Sequence, residues 1–208
     1  MIALSVALVL SGHSNAVSAK GESGMAAAEP MSEARFWDIV DRSRSPDRGT
    51  QIAVLKQLLN SLSPGELVAW EKTFDKQMRR SYRWDLWGAA YIAMGGASDD
   101  SFEYFRLWLI SRGQQTFETV LTSPDALADV ASDDPEQLEF EDFAHAAPDV
   151  WSAKTGKGWD EMPSLSSFFD PAGYGAPTGQ QFSDDPPALA AKYPKLWRRF
   201  GHAHSSPQ

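Results

Sequence analysis

The stretch Trp84-Asp85-Leu86-Trp87-Gly88-Ala89-Ala90-Tyr91-Ile92-Ala93-Met94-Gly95-Gly96-Ala97-Ser98-Asp99-Asp100-Ser101-Phe102-Glu103-Tyr104-Phe105-Arg106-Leu107-Trp108-Leu109-Ile110-Ser111-Arg112-Gly113 decides the fold. In its first half, Trp84, Trp87, Tyr91 and Met94 recur at steps of three and four, the spacing of one side of a helix, here predicted over residues 82–94. Gly88, Ala89, Ala90 and Ala93 keep the rest of that helix slim. An interior helical glycine costs about 1 kcal/mol relative to alanine, so Gly88 reads as a place where a neighbour comes close. Gly95-Gly96 ends the helix in the left-handed manner, and Ser98 caps the next one. Asp99 and Asp100 then sit in its first turn, where carboxylates favour the positive end of the dipole. Phe102, Tyr104, Phe105, Leu107, Trp108, Leu109 and Ile110 cover nearly the whole circumference, which marks a central helix ended by Gly113.

Working towards the N-terminus, Ser63-Pro64-Gly65-Glu66 is a capping box, and Leu67, Trp70, Phe74 and Met78 follow as one apolar stripe. Before it, Ser45-Pro46 supplies a cap and a first-turn proline for a helix carrying Ile52, Leu55, Leu58, Leu59 and Leu62. Residues 33–43 form the first helix, burying Phe36, Trp37, Ile39 and Val40. The opening segment, residues 1–30, is set apart as a leader. Ile2 to Leu10 is apolar but too short to span a bilayer. Val17-Ser18-Ala19 offers a signal-peptidase site, although no Lys or Arg precedes the apolar run. The favoured expectation is a start at Met25 or Met31 and a cytoplasmic protein; the alternative is a cleaved signal and a secreted one.

Working towards the C-terminus, short helices are expected over 116–121 and 124–130. Pro135 opens another, carrying Leu138, Phe140, Phe143 and Ala147 and interrupted at Pro148. Residues 157–185 change in texture: rich in Gly, Pro and Ser yet retaining Trp159, Phe168, Phe169 and Tyr174, they read as an irregular strap pinned by aromatics. A last helix over 186–201 turns Leu189, Tyr193, Leu196, Trp197 and Phe200 inward, and 202–208 is expected to be disordered. The fold class is therefore all-α: a single compact multi-helix domain over 31–156, a Gly/Pro-rich strap, and a C-terminal helix packed on the core.

Composition supports this reading and excludes several functions. With 208 residues, 42% of them hydrophobic and 8 of them Trp, one large core is sustainable. The absence of cysteine rules out disulfides, thiolate nucleophiles and cysteine-based zinc sites. A formal net charge of −9 argues against nucleic acid and against an anionic membrane surface. The basic clusters Lys76-Arg79-Arg80-Arg83 and Lys192-Lys195-Arg198-Arg199 read as solvated helix faces.

The segments 85–92, 95–100 and 102–113, together with Phe36-Trp37, resemble the bacterial DUF4240 family of uncharacterised proteins. The resemblance covers residues 35–156, and Tyr193-Pro194-Lys195-Leu196-Trp197 is compatible with it. It implies no established activity, cofactor or catalytic residue, so no functional residue is carried over.

Two constellations carry chemistry. Trp84, Asp85, Trp87, Tyr104, Arg106, Trp108 and Arg112 combine aromatic faces with guanidinium groups, a set suited to a small ligand or a protein segment; the competing reading is a buried ion pair closing the core. Glu141, Asp142 and His145 share a helical face and suit two ligands of a divalent metal or a carboxylate-oriented base; the competing reading is a plain acidic face. The first expectation is accordingly a binding or regulatory module with an aromatic groove and no cofactor. The alternatives are a small, metal-dependent enzyme built on the acidic helix, and an acidic partner protein of the immunity or antitoxin kind. A Gly-x-Ser-x-Gly elbow and a Walker lysine are both missing.

Overall fold

The computed structural model describes residues 29–163 and 175–204. Its helices run in order α1 (Glu33–Ser43), α2 (Arg48–Leu59), α3 (Pro64–Arg80), α4 (Trp84–Met94), α5 (Asp99–Ser111), α6 (Gln114–Thr122), α7 (Asp142–Thr155), α8 (Pro186–Lys192) and α9 (Pro194–Phe200). Short 3-10 turns at Pro124–Asp129, Pro135–Leu138, Trp159–Glu161 and Gly201–His204 punctuate them. No β-strand occurs among the described residues, and the all-α class holds. No described helix is long and apolar enough to cross a membrane. The leader reading falls almost wholly outside the described residues, as do Phe168, Phe169 and Tyr174 of the strap.

Local chemistry sets most helix boundaries. The Ser63 hydroxyl accepts from the Glu66 amide at 3.3 Å while the Glu66 carboxylate accepts from the Ser63 amide at 2.9 Å. Hydrogen bonds donated to it by the Ser63 amide, and then by the Ser63 hydroxyl, hold the Glu66 carboxyl below its usual range. Ser98 caps α5 in the same way, and Gly95 closes α4 at φ 72°. At α1, Met31 is fixed before the helix starts: its amide donates to Ala69 O at 2.9 Å and its carbonyl accepts from Thr73 Oγ1 at 2.7 Å.

The sequence reading fails at four helix boundaries or breaks and at the C-terminal end, each for a tertiary or stereochemical reason. First, α2 is capped by Asp47, whose carboxylate accepts from the Thr50 amide at 2.7 Å; Ser45 instead accepts from the Asp47 amide, forming the turn before it. Second, α4 starts at Trp84 rather than at 82, because Tyr82 O and the Trp84 amide pair with the backbone of Thr178, at 3.0 Å each. That isolated parallel bridge pulls the two residues out of helical geometry.

Third, the segment from Pro135 is a single 3-10 turn, ended where the Phe140 amide turns to Tyr104 O at 3.1 Å. The helix proper, α7, then runs straight through Pro148. Proline costs a helix interior about 3 kcal/mol, but Phe143, Ala147, Val150 and Trp151 bury one face of α7 against α2, α3 and α5, and that packing overrides it. Fourth, Pro194 divides the expected C-terminal helix at Tyr193, since proline forces the preceding residue out of the helical region. Residues 202–204, expected to be disordered, form a turn whose His204 ring lies 5.0 Å from Tyr91 and 6.0 Å from Trp197.

The core is a run of rings contributed by α1, α3, α6 and α7. Trp70 stacks on Phe74 at 5.2 Å, Phe36 lies against Trp37, Trp70 and Phe74, and Trp37 meets Phe117. As its apolar circumference requires, α5 passes through the middle: Phe102, Phe105, Leu107, Leu109 and Ile110 are wholly buried. On α4 the buried side is the slim one, Leu86, Ala89, Ala90, Ile92 and Ala93, while Trp84, Tyr91 and Met94 are only partly covered.

What covers them comes from the other end of the chain. Phe182 packs on Trp84 and Tyr91, and the Tyr193 hydroxyl donates to Asp85 O at 2.8 Å. Gly88 makes this possible, because a Cβ there would lie 2.5 Å from the Tyr193 hydroxyl and 3.0 Å from Phe182. Gly88→Ala is therefore expected to cost about 1–3 kcal/mol and lower the melting temperature by several degrees, with the strap displaced from α4. Thermal unfolding followed by circular dichroism measures it; an unchanged midpoint would mean that the strap does not rest on α4.

Candidate functional site

The seven residues singled out for ligand binding separate onto two sides of α5. Residues i, i+4 and i+8 of a helix share a face, so Tyr104, Trp108 and Arg112 lie along one stripe and Arg106 on another. Trp84, Asp85 and Trp87, on α4, join the Arg106 side.

On that side the rings form a continuous pile. Trp84 stacks on Trp87 at 5.2 Å, and Trp87 stacks on Phe102 at 4.7 Å with an interplanar angle of 13°. The Trp87 indole donates to Ala97 O at 3.0 Å, locking the helical hairpin across Gly95-Gly96. Behind the pile, the Arg106 guanidinium sits over Tyr82 at 4.7 Å and Phe102 at 5.3 Å and donates to Met78 O at 3.0 Å. Arg106 is 3% exposed and joins α5 to the end of α3. Asp85 is held by the Arg83 guanidinium, which also donates to Leu121 O at 2.9 Å.

The partly exposed edge of the pile, Trp84 and Tyr91, is the accessible portion of this aromatic face. Phe182 and Thr178 of the strap occupy it. The C-terminal helices hold the strap's far end in place: Asp125 accepts from the amides of Lys195 and Leu196 at 2.9–3.1 Å, Lys195 pairs with Asp129, and Arg199 pairs with Asp133. Tyr193 is anchored as a neutral phenol, since burial pushes its ionisation well above the ordinary range.

On the opposite side, Trp108 is buried against Phe105, and the Arg112 guanidinium lies 5.9 Å from the Trp108 ring. Arg112 lines a cleft of about 410 Å³ with Asp41, Arg44, Ser45 and Pro46. Tyr104 faces a second cleft, of about 430 Å³, lined also by Arg48, Glu136, Glu139, Phe140, Glu141 and Asp142. Burial, followed by the neighbouring charge of Glu141, raises the Tyr104 hydroxyl pKa. Neither cleft includes Trp84, Trp87 or Trp108.

The metal constellation does not assemble. Glu141 stands at the N-cap of α7 and Asp142 at its first position, both exposed, while the His145 ring packs on Trp159 at 5.0 Å. Among the described residues no three His, Cys, Asp or Glu side chains come together as a metal-binding group.

The first basic cluster is engaged within the chain, as are Lys195 and Arg199 of the second. Lys76 pairs with Glu33, Arg79 with Asp75, and Arg80 bidentately with Glu118 at 2.8 Å. Sequence reasoning missed Phe182, Gln51 and Arg44. Gln51 carried a signal: it falls on the stripe of Leu55 and Leu59, and a polar residue on an apolar stripe has to find a buried partner. Phe182 carried none, because its contact lies far off in sequence.

The family described as "Protein of unknown function (DUF4240)" matches residues 31–153. No match to the chain is found among curated proteins or among solved structures.

Proposed function

The chain belongs to the DUF4240 family, and from that premise we propose that it is a binding module whose α4 aromatic face receives an extended protein segment bearing an aromatic anchor. The observation that carries this reading is the strap itself. An extended backbone is held there by two main-chain hydrogen bonds at Thr178, and a single ring, Phe182, is inserted beside Trp84 and Tyr91. Main-chain pairing combined with a side-chain anchor is the common currency of segment recognition. The receiving face lies inside the residues that the family matches, and the covering segment lies outside them. A tethered segment competes with any external one through its high local concentration, so the strap acts as a built-in competitor.

The test uses a labelled peptide spanning residues 175–185 and full-length protein. Phe182→Ala, which frees the aromatic seat, is expected to bind the peptide at least about tenfold more tightly than the wild type, whose seat is filled. Adding Trp84→Ala to that variant is expected to remove the gain. Fluorescence anisotropy reads both. No binding by Phe182→Ala, or equal binding after the loss of Trp84, would end the segment-binding reading.

A further inference from the structure

A protein with 28 acidic and 19 basic side chains has carboxylates to spare for its cations. Ion pairs accordingly engage Arg35, Arg42, Lys56, Lys76, Arg79, Arg80, Arg83, Lys195 and Arg199. Arg44, Arg48 and Arg112 are among the cations outside these pairs, and Arg48 also lines the acidic cleft beside Glu136 and Glu139. The three gather where the end of α1, the start of α2 and the end of α5 meet, close enough that Arg44 and Arg48 both act electrostatically on Arg112. Among the described residues none of the three has a carboxylate at ion-pair distance. Placing the Arg44 and Arg112 charges together with no carboxylate at ion-pair distance is unfavourable, and for the partly buried Arg112 doubly so.

Arg112 is also built in rather than left to wander. Its Nη2 donates to Gln51 Oε1 at 2.8 Å, and Gln51, wholly buried, donates in turn to Ser111 O at 2.9 Å. Its Nε reaches Ser111 Oγ at 3.3 Å, and its plane lies near the Trp108 ring. This leaves Nη1 without a protein acceptor among the described residues. Burial first, and then Arg44 and Arg48, disfavour its charged form. One acidic side chain does line the cleft: Asp41. One of its oxygens, Oδ1, accepts from the Gln114 amide at 3.3 Å at the start of α6. Gly113, at φ 90°, supplies no side chain of its own to that amide, and a Cβ there would overlap Asp41 Oδ1.

We propose that the cleft formed by Asp41, Arg44, Ser45, Pro46 and Arg112 is a binding site for a small molecule bearing an oxyanion, a carboxylate or a phosphate, held between the guanidinium groups of Arg44 and Arg112. Guanidinium forks match both oxyanions bidentately. The cleft's volume of about 410 Å³ suits a small metabolite. The site shares no residue with the α4 aromatic face and stands independently of the segment-binding reading.

The experiment titrates inorganic phosphate and, separately, succinate into full-length protein at constant ionic strength set with chloride, and follows the melting temperature. A saturable rise of a few degrees by about 10 mM is expected with at least one of them, since binding to the native state alone stabilises by mass action. The anion that saturates at lower concentration identifies the oxyanion class. Arg44→Gln, at an exposed position that the fold does not need, is expected to weaken the apparent affinity at least tenfold, and Arg112→Gln to abolish the effect. Should Arg112→Gln fold poorly, Arg44→Gln decides alone. No saturable rise with either anion, or an equal rise in Arg44→Gln, overturns the proposal; the latter would mark a general salting-out effect on the folded state.

Discussion

Replacing Glu71 with glutamine is expected to remove a loss of stability that the wild-type protein suffers between pH 5 and pH 8. Glu71 lies within α3 at 2% exposure, and its Oε1 has no hydrogen-bond partner. Burial, and secondarily the charge of Asp75, pushes its carboxyl up to about 8 from an ordinary 4.5. The folded state therefore keeps the proton that the unfolded state gives up. Below pH 4.5 both states are protonated and the group costs nothing through ionisation. As the pH rises from there, the unfolded chain ionises first, and stability falls by about 1.4 kcal/mol per pH unit until the folded carboxyl also ionises near pH 8. The full span approaches about 4–5 kcal/mol, a large part of a domain's stability. Glu71→Gln keeps the shape without the titration. Urea unfolding at pH 5, 6, 7 and 8 should show a falling midpoint in the wild type and a nearly flat one in the variant; parallel slopes would mean that Glu71 is not buried as a neutral acid. The carboxylates of Glu33, Asp47 and Glu66, whose pKa values are lowered by hydrogen bonds, act below this window and in the opposite sense.

The second large effect is expected at Phe74. Its ring meets Phe36 of α1 at 6.5 Å, Trp70 within α3 at 5.2 Å and Phe143 of α7 at 6.2 Å, and it is 1% exposed. Phe74→Ala removes the ring that three helices share, and loses both transfer energy and packing around the cavity left behind, about 3–5 kcal/mol in total. The change also tests how far cooperativity extends. If the C-terminal helices fold with the α1–α7 body, their own reporters move with it. The Tyr91–His204 and Trp197–His204 contacts place histidine resonances at that far edge. In urea, those resonances and the far-UV signal are expected to shift to the same lower midpoint. A His204 transition that stays at its wild-type position would show that the C-terminal segment unfolds apart from the core.

Much of this architecture was legible from one sequence. The hairpin of α4 and α5 announced itself through its 3–4 periodicity, its glycine stop and its serine cap, and α3 through its capping box; all of these are interactions between residues close in the chain. Some errors were local, such as the α2 cap at Asp47 and the break before Pro194, and others fell where a distant partner outbid local preference. Thr178 took the backbone groups that would have begun α4 two residues earlier, and the packed face of α7 kept Pro148 inside a helix. The ligand residues suffered in the same way. Tyr104, Arg106, Trp108 and Arg112 looked like one constellation in the sequence, yet a helix with neighbours on several sides distributes them among different ones.

Periodicity and capping, which act over a single turn, settled that this chain is helical, where most of its helices begin and end, and which residues line the core. Charge balance alone could not assign partners. Glu71, Gln51 and Arg106 each fall on an apolar stripe, but whether such a group becomes a neutral acid, a hydrogen-bonding bracket or a stacked cation depends on what another helix presents to it. The same holds for the arginines. That Arg80 meets Glu118, while Arg44 and Arg112 have no carboxylate at ion-pair distance among the described residues, is a property of how α1, α3, α5 and α6 cross. Only the tertiary structure decides it, because electrostatic and desolvation energies are set by distances in space that residue spacing along the chain does not determine.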